Sequence, residues 1–238
     1  MCGRFAVTTD PAVLAERIHA VDETGGFEPN YNVAPTTDVA AVVAEAGADR
    51  RIRRMRWGLL PAWLKAGPDG EPQTRSSLIN ARAETAATSP AFRASARHRR
   101  CLVPMDGYYE WKRPAEPGGR KTPYYFHRDD GAQLLVAGLW SVWRADRAAP
   151  GRLSCTLITT DATAGFAAIH DRMPLLLAEA DWDRWLDPGR TAPADLLGGP
   201  PAVAGLHARE VSTLVNRVAN NGPELIAPAD PGNQPVGL

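Results

Sequence analysis

The chain has 238 residues, 44% of them hydrophobic and seven of them tryptophan, enough apolar material for one well-buried domain. Its 27 basic and 27 acidic residues cancel, which excludes a strong overall field toward nucleic acid. No stretch reaches ~18 consecutive apolar residues and no signal-like apolar segment opens the chain, so a cytoplasmic protein without a membrane partner is expected.

In chain order, TTDPAVLAERIHAV predicts a helix over 8–21, with Asp10 as cap, proline in the first turn and apolar residues at helical spacing. Strand-like runs follow: DVAAVVA, RIRRMRW, CLVPMDGYYEW, PYYFHR, QLLVAGLWSVW and LSCTLITT. Turn-rich pieces such as KAGPDGEP and RPAEPGGRKT separate them, and short helices are expected at AEADWDRWL and APADLLG. Many strands with few long helices predict an α+β fold, a single domain on a mixed or antiparallel β-barrel-like core with peripheral short helices. The domain is expected to span 1–226, with 227–238 a loose C-terminal tail. The clusters RRIRRMR and RASARHRR read equally well as a local basic groove or as two solvated faces.

Cys2, Cys101 and Cys155 are odd in number and lack C-x-x-C spacing, so neither a disulfide framework nor a metal site is indicated. Cys2 stands directly behind the initiator methionine, whose removal would leave a free amine and a free thiol on adjacent carbons. An α-amine titrates near ~7.7 to 8.0 and a thiol near ~8.5, so both are nucleophiles near neutrality. The pair can attack an acyl carbon, as in N-terminal nucleophile hydrolases, or condense with an aldehyde to an imine that sulfur closes into a thiazolidine. A small second residue that merely permits methionine removal is the plainest alternative. In SSLINARAET, Asn80, Arg82 and Glu84 alternate, which in a strand places all three on one face. Glu110 ends the apolar run of CLVPMDGYYEW, where desolvation would raise its pKa toward a range useful for proton transfer. His170, Asp171 and Arg172 interrupt an apolar sequence just before a proline. Each has a structural explanation taken singly, but with Cys2 they make a working set of nucleophile, carboxylate, imidazole and arginines.

The blocks MCGRF, YNVAPT, WGLLPAW, INARAET, CLVPMDGYYEWK, IHDRMP and VSTLVNRVANNGPELI run in order over residues 1–226. Together they resemble the SOS response-associated peptidase family, the abasic-site processing proteins. The resemblance implies a DNA damage response protein that binds abasic sites in single-stranded DNA at replication forks, acting as a monomer and nucleoid-associated when bound. It implies that the Cys2 amine forms an imine with the C1′ aldehyde of the ring-opened sugar and that the thiolate closes it to a stable thiazolidine. An imine left open can lead to strand cleavage, and the same thiol is implied in self-removal of any leader. Carried over by position, Asn80 would hold the Cys2 amine or the opened sugar, Glu110 would move protons, and His170 would protonate the sugar ring oxygen. Arg4, Arg82 and Arg172 would grip phosphates, with Thr159 adding a contact and Trp111 stacking near the flipped sugar. Trp57, Leu60, Pro61 and Trp63 are candidates to support DNA at the groove edge. No metal or organic cofactor is implied. A glutamine amidotransferase of the N-terminal nucleophile type and a noncovalent DNA-binding module remain the alternatives.

Overall fold

In the computed structural model, residues 2–45, 49–74, 77–163, 165–229 and 236–237 are described. Among them fourteen strands and five short α-helices follow in order: β1 (Phe5–Val7), α1 (Pro11–Arg17), β2 (Ala20–Asp22), β3 (Asn30–Val33), β4 (Asp38–Val43), β5 (Arg50–Trp57) and β6 (Asn80–Arg82). Then come α2 (Ala83–Ala86), α3 (Arg93–His98), β7 (Arg100–Met105), β8 (Gly107–Lys112), β9 (Thr122–Arg128), β10 (Leu134–Trp143) and β11 (Arg152–Asp161). The last elements are β12 (Arg172–Pro174), α4 (Trp182–Leu186), α5 (Ala194–Gly198), β13 (Leu206–Glu210) and β14 (Val236–Gly237).

Strands β5, β4, β7, β10 and β11 pair in sequence, and β11 returns to β5 through Ser154↔Arg56 and Cys155↔Trp57. This last pairing is parallel and closes a mixed barrel, so the barrel-like α+β fold expected above is what the chain adopts. A second sheet has the order β14-β13-β9-β8-β1-β3. Barrel strands bury both faces, which explains why DVAAVV and RCLVPM read as continuous apolar runs rather than as alternation. Val42, Ile52, Leu102 and Leu139 pack with Leu14, Phe92, Trp182 and Trp185 of the helical layer. Ala41, Met55, Trp57, Val103 and Leu157 pack with Phe5, Tyr108 and Phe126 of the second sheet. Among the described residues no helix is long and apolar enough to cross a membrane.

Packing corrects several expectations. The first helix stops at Arg17, because His19 takes a left-handed φ of 52° and Ala20 enters β2 beside β5. The run CLVPMDGYYEW is two strands in two sheets, divided at Asp106. There the Asp106 carboxylate accepts from Thr8 Oγ1 (2.7 Å), Thr9 Oγ1 (2.9 Å) and Gln133 Nε2 (3.1 Å), tying the corner to both neighbours. Gly107 follows because an added Cβ would lie 2.4 Å from the Phe126 carbonyl oxygen and as close to the Tyr125 ring.

The basic cluster on β5 forms no open groove. Arg50 pairs with Asp183, Arg51 and Arg53 with Glu23, Arg53 also with Glu45, and Arg54 lies 3.9 Å from the Phe27 ring centroid. Arg100 is buried and donates to the carbonyls of Trp185, Ala96, Arg97 and Asp187. Of the expected tail, Pro228 bridges Val211 and Val236–Gly237 pair with β13; residues 230–235 and 238 lie outside the described residues.

Candidate active site

Cys2 precedes β1, which the second sheet places between β8 and β3. Alternation along β8 puts Tyr108 and Glu110 on the face of the second sheet that meets the barrel, where Cys2 also packs. Tyr109 and Trp111 fall on the opposite face, in a smaller cluster with Val211, Val215 and Leu225. β6 lies parallel to β11, with Asn80 opposite Leu157, and so brings Asn80 to the start of the chain. Its Nδ2 donates to the Cys2 carbonyl oxygen at 2.6 Å, so the amide grips the main chain of the first described residue. Its Oδ1 is buried and has no hydrogen-bond partner among the described residues, leaving an unused acceptor near Cys2.

Cys2 is fully buried. Burial first, then the Glu110 charge, pushes its thiol well above the ordinary range, so the resting group is S–H and acts as a nucleophile only with a base beside it. Glu110 is 3% exposed, and burial raises its carboxyl to about 7, with Asp171 adding in the same direction. A carboxyl near 7 can take or give a proton at neutral pH. His170 follows a short 3-10 turn (Phe166–Ala168), and its Nε2 lies 3.8 Å from Glu110 Oε2. The Arg172 N–H donates to His170 Nδ1 at 3.0 Å, and Asp171 Oδ1 lies 3.1 Å from the same nitrogen. The first contact suits a neutral ring protonated at Nε2, facing Glu110; the second suits a ring protonated at Nδ1, whether the other neutral tautomer or the imidazolium. Burial dominates and lowers the His170 pKa, which favours the neutral ring at pH 7.

The arginines fare differently. Arg82 is exposed at the end of β6, whereas Glu84 leaves the alternation because α2 begins at Ala83. Glu84 instead pairs with Arg172, which also reaches Asp161 (2.6 Å) and the Thr159 carbonyl (2.7 Å). Arg172 therefore clamps β11, β12 and α2 in this structure and offers no free fork for phosphate. Thr159 is fully buried with its hydroxyl unpartnered among the described residues, so it offers none either. Arg4 sits on the Trp111 side of the sheet, 6.0 Å from that ring, and donates to Asn32 Oδ1 (2.7 Å) and the Val215 carbonyl (3.0 Å). Burial lowers the pKa of its guanidinium. Trp111 Nε1 donates to Asn216 Oδ1 at 2.7 Å, fixing the indole. Trp57 is core, donating to the Ile79 carbonyl at 2.9 Å, and Leu60 is buried; Trp63, 64% exposed, is the surface tryptophan of WGLLPAW.

Tyr108 escaped the sequence reading. Its hydroxyl is buried without a hydrogen-bond partner among the described residues, and burial together with the Cys2 and Glu110 charges pushes its pKa up. Its i, i+2 relation to Glu110 in a strand was the available signal.

A family model described as SOS response associated peptidase (SRAP) matches residues 1–218. The chain belongs to this family. Among SRAP relatives, the abasic site processing protein YoaM of Bacillus subtilis (strain 168) is 36% identical over 230 residues, covering 95% of this chain and 97% of that protein. The abasic site processing protein YedK of Escherichia coli (strain K12) is 34% identical, covering 96% of this chain and all of that protein. A crystal structure of a protein from Bacteroides thetaiotaomicron superposes with a TM-score of 0.81 over 96% of this chain and all of that one. At 24% identity it shows the shared fold alone.

Proposed function

We propose that this SRAP protein acts in the DNA damage response by binding abasic sites in single-stranded DNA and cross-linking to them through Cys2. The relatives named as abasic site processing proteins support the lesion. The observation that carries the chemistry is that Asn80 holds the Cys2 carbonyl while the Glu110 charge acts on the Cys2 thiol, with the Glu110 carboxyl raised to about 7 and His170 beside it. After methionine removal the Cys2 amine adds to the C1′ aldehyde, and the carbinolamine loses water to give an imine. The thiol then adds to the imine carbon; its proton passes to Glu110 and returns to the ring nitrogen, so protein and DNA combine with loss of one water. Asn80 holds the Cys2 main chain still during both additions. His170, when protonated, supplies the acid that opens the sugar. An imine not captured by sulfur is the branch point for strand cleavage.

Arg82, exposed two residues after Asn80, is a cation available to meet phosphate.

The test is to mix mature protein with a single-stranded oligonucleotide carrying one abasic site, denature, and weigh the product. A one-to-one adduct lighter than the sum by one water, absent in Cys2→Ala, is expected, and resistance to borohydride distinguishes the thiazolidine from the imine. Absence of an adduct with the methionine confirmed removed would overturn the covalent reading and leave noncovalent binding or glutamine hydrolysis.

A further inference from the structure

The outer face of the second sheet carries an arginine that the fold leaves without an acceptor. β13 pairs with β9 so that Arg209 stands opposite Tyr125 and His207 opposite His127. Alternation sends all four side chains to the face away from the barrel, since Phe126 and Ala208 between them pack toward it. The Arg209 guanidinium lies 5.6 Å from the Tyr125 ring centroid, and the His127 ring stacks on the same tyrosine at 5.5 Å. Arg209 Nε is buried, and among the described residues the guanidinium has neither an ion pair nor a hydrogen bond. The neighbouring carboxylates are engaged elsewhere: Asp129 lies 3.5 Å from His207 Nε2, and Asp130 pairs with Arg128. A charge taken partly out of water with no counter-charge is a standing cost that an anion would offset.

His127 narrows the choice of anion. Its Nδ1 lies 2.9 Å from the Arg128 carbonyl oxygen, and a carbonyl can only accept, so Nδ1 carries the proton. In the neutral ring Nε2 is then a lone-pair acceptor, and it too is buried with no hydrogen-bond partner among the described residues. Burial lowers the His127 pKa, the Arg128 carbonyl opposes the shift, and the Arg209 and His207 charges lower it further against Asp129. Tyr125, on the same strand, stays un-ionised because burial raises its pKa, and β8 sets Gly107 opposite the ring. A donor guanidinium beside an acceptor nitrogen suits an oxyanion that brings one proton of its own. Its P–OH donates to His127 Nε2 while its charged oxygens accept from Arg209. Sulfate and phosphodiesters have no such proton at neutral pH, and a phosphomonoester sheds its last one near ~6, so each would turn a lone pair toward Nε2.

We propose that Arg209 and His127, held side by side on the Tyr125 ring, form a binding site for the free hydrogen phosphate ion. The site lies across β9 and β13 on the face of the sheet that turns away from Glu110, so it stands or falls independently of the cross-linking reading. His207, directly across from His127, adds positive charge at the rim once it is protonated. An anion held here favours the charged imidazole, so binding raises the His127 pKa.

The experiment follows the imidazole nitrogens of the full-length protein by long-range proton–nitrogen NMR while inorganic phosphate is added at pH ~7.5 and constant ionic strength, where an unperturbed histidine is already neutral. The His127 signals should move and saturate with phosphate, whereas sulfate, of similar shape and charge, should move them little. As the pH falls below ~6 and the ring protonates, sulfate should come to bind as phosphate does. Arg209→Gln should weaken phosphate about ten- to a hundredfold, the loss of one hydrogen bond to a charged group. It should leave Tm nearly unchanged, because the arginine has no partner to lose among the described residues. His127→Phe, which keeps the ring stack, should abolish the preference for phosphate over sulfate. The contrast between the two anions is read in wild type and needs no variant. No saturable shift at His127, sulfate or methyl phosphate bound as tightly as phosphate at pH ~7.5, or unchanged affinity in a folded Arg209→Gln overturns the site.

Discussion

Replacing Glu110 by glutamine should stabilise the fold at alkaline pH and leave it nearly unchanged in acid. The carboxyl is 3% exposed, and burial moves it from 4.5 to about 7. Holding a carboxyl that far above its free value corresponds to about 3 kcal/mol between the two protonation states. Because the folded pKa is the higher, the unfolded chain ionises first as pH rises. The stability contributed by the protonated carboxyl is fully present below about 4.5, erodes through the interval, and is gone above about 7. A glutamine at this position would resemble the protonated form at every pH, so Glu110→Gln minus wild type should start near zero and climb to about 3 kcal/mol by pH ~8. For a chain of this length that is roughly 6 to 12 °C in Tm. Urea denaturation from pH ~4.5 to ~8, monitored by tryptophan fluorescence, reads the difference directly, and groups common to both proteins cancel. Parallel stability curves would refute the raised Glu110 pKa and with it the proton-transfer role assigned at neutral pH.

Burial keeps His170 largely neutral at pH 7, so the ratio of wild-type to His170→Ala cross-linking rates should grow as pH falls toward and below 6.5. A ratio independent of pH would remove His170 as the acid. Arg172→Ala should cost about 1 to 3 kcal/mol in thermal denaturation, because Glu84, Asp161 and the Thr159 carbonyl lose one shared donor. Arg82→Ala should change stability by less than about 0.5 kcal/mol yet weaken single-strand binding, as titration at two salt concentrations would show. Asp106→Ala strands Thr8, Thr9 and Gln133 at the corner between the two sheets and should cost about 2 to 3 kcal/mol, read by calorimetry.

The apolar runs, the Asp10 cap and the turn-forming stretches were legible in the sequence because they express preferences of a few neighbouring residues. The same holds for the unusual polar residues Cys2, Asn80, Glu110 and His170, each conspicuous against its local surroundings. Tertiary structure decided the rest. It cut CLVPMDGYYEW at Asp106 into strands of different sheets, turned Glu84 off the face it shared with Asn80, and sent Arg4 to the far side of the sheet from Glu110. It also occupied the β5 arginines and Arg172 with carboxylates and carbonyls, while leaving Arg209 without such a partner among the described residues. Sequence pattern reports which residues want burial or a given backbone angle; whether a charge finds a partner or a carboxyl loses its water depends on which distant surfaces the closed barrel brings together.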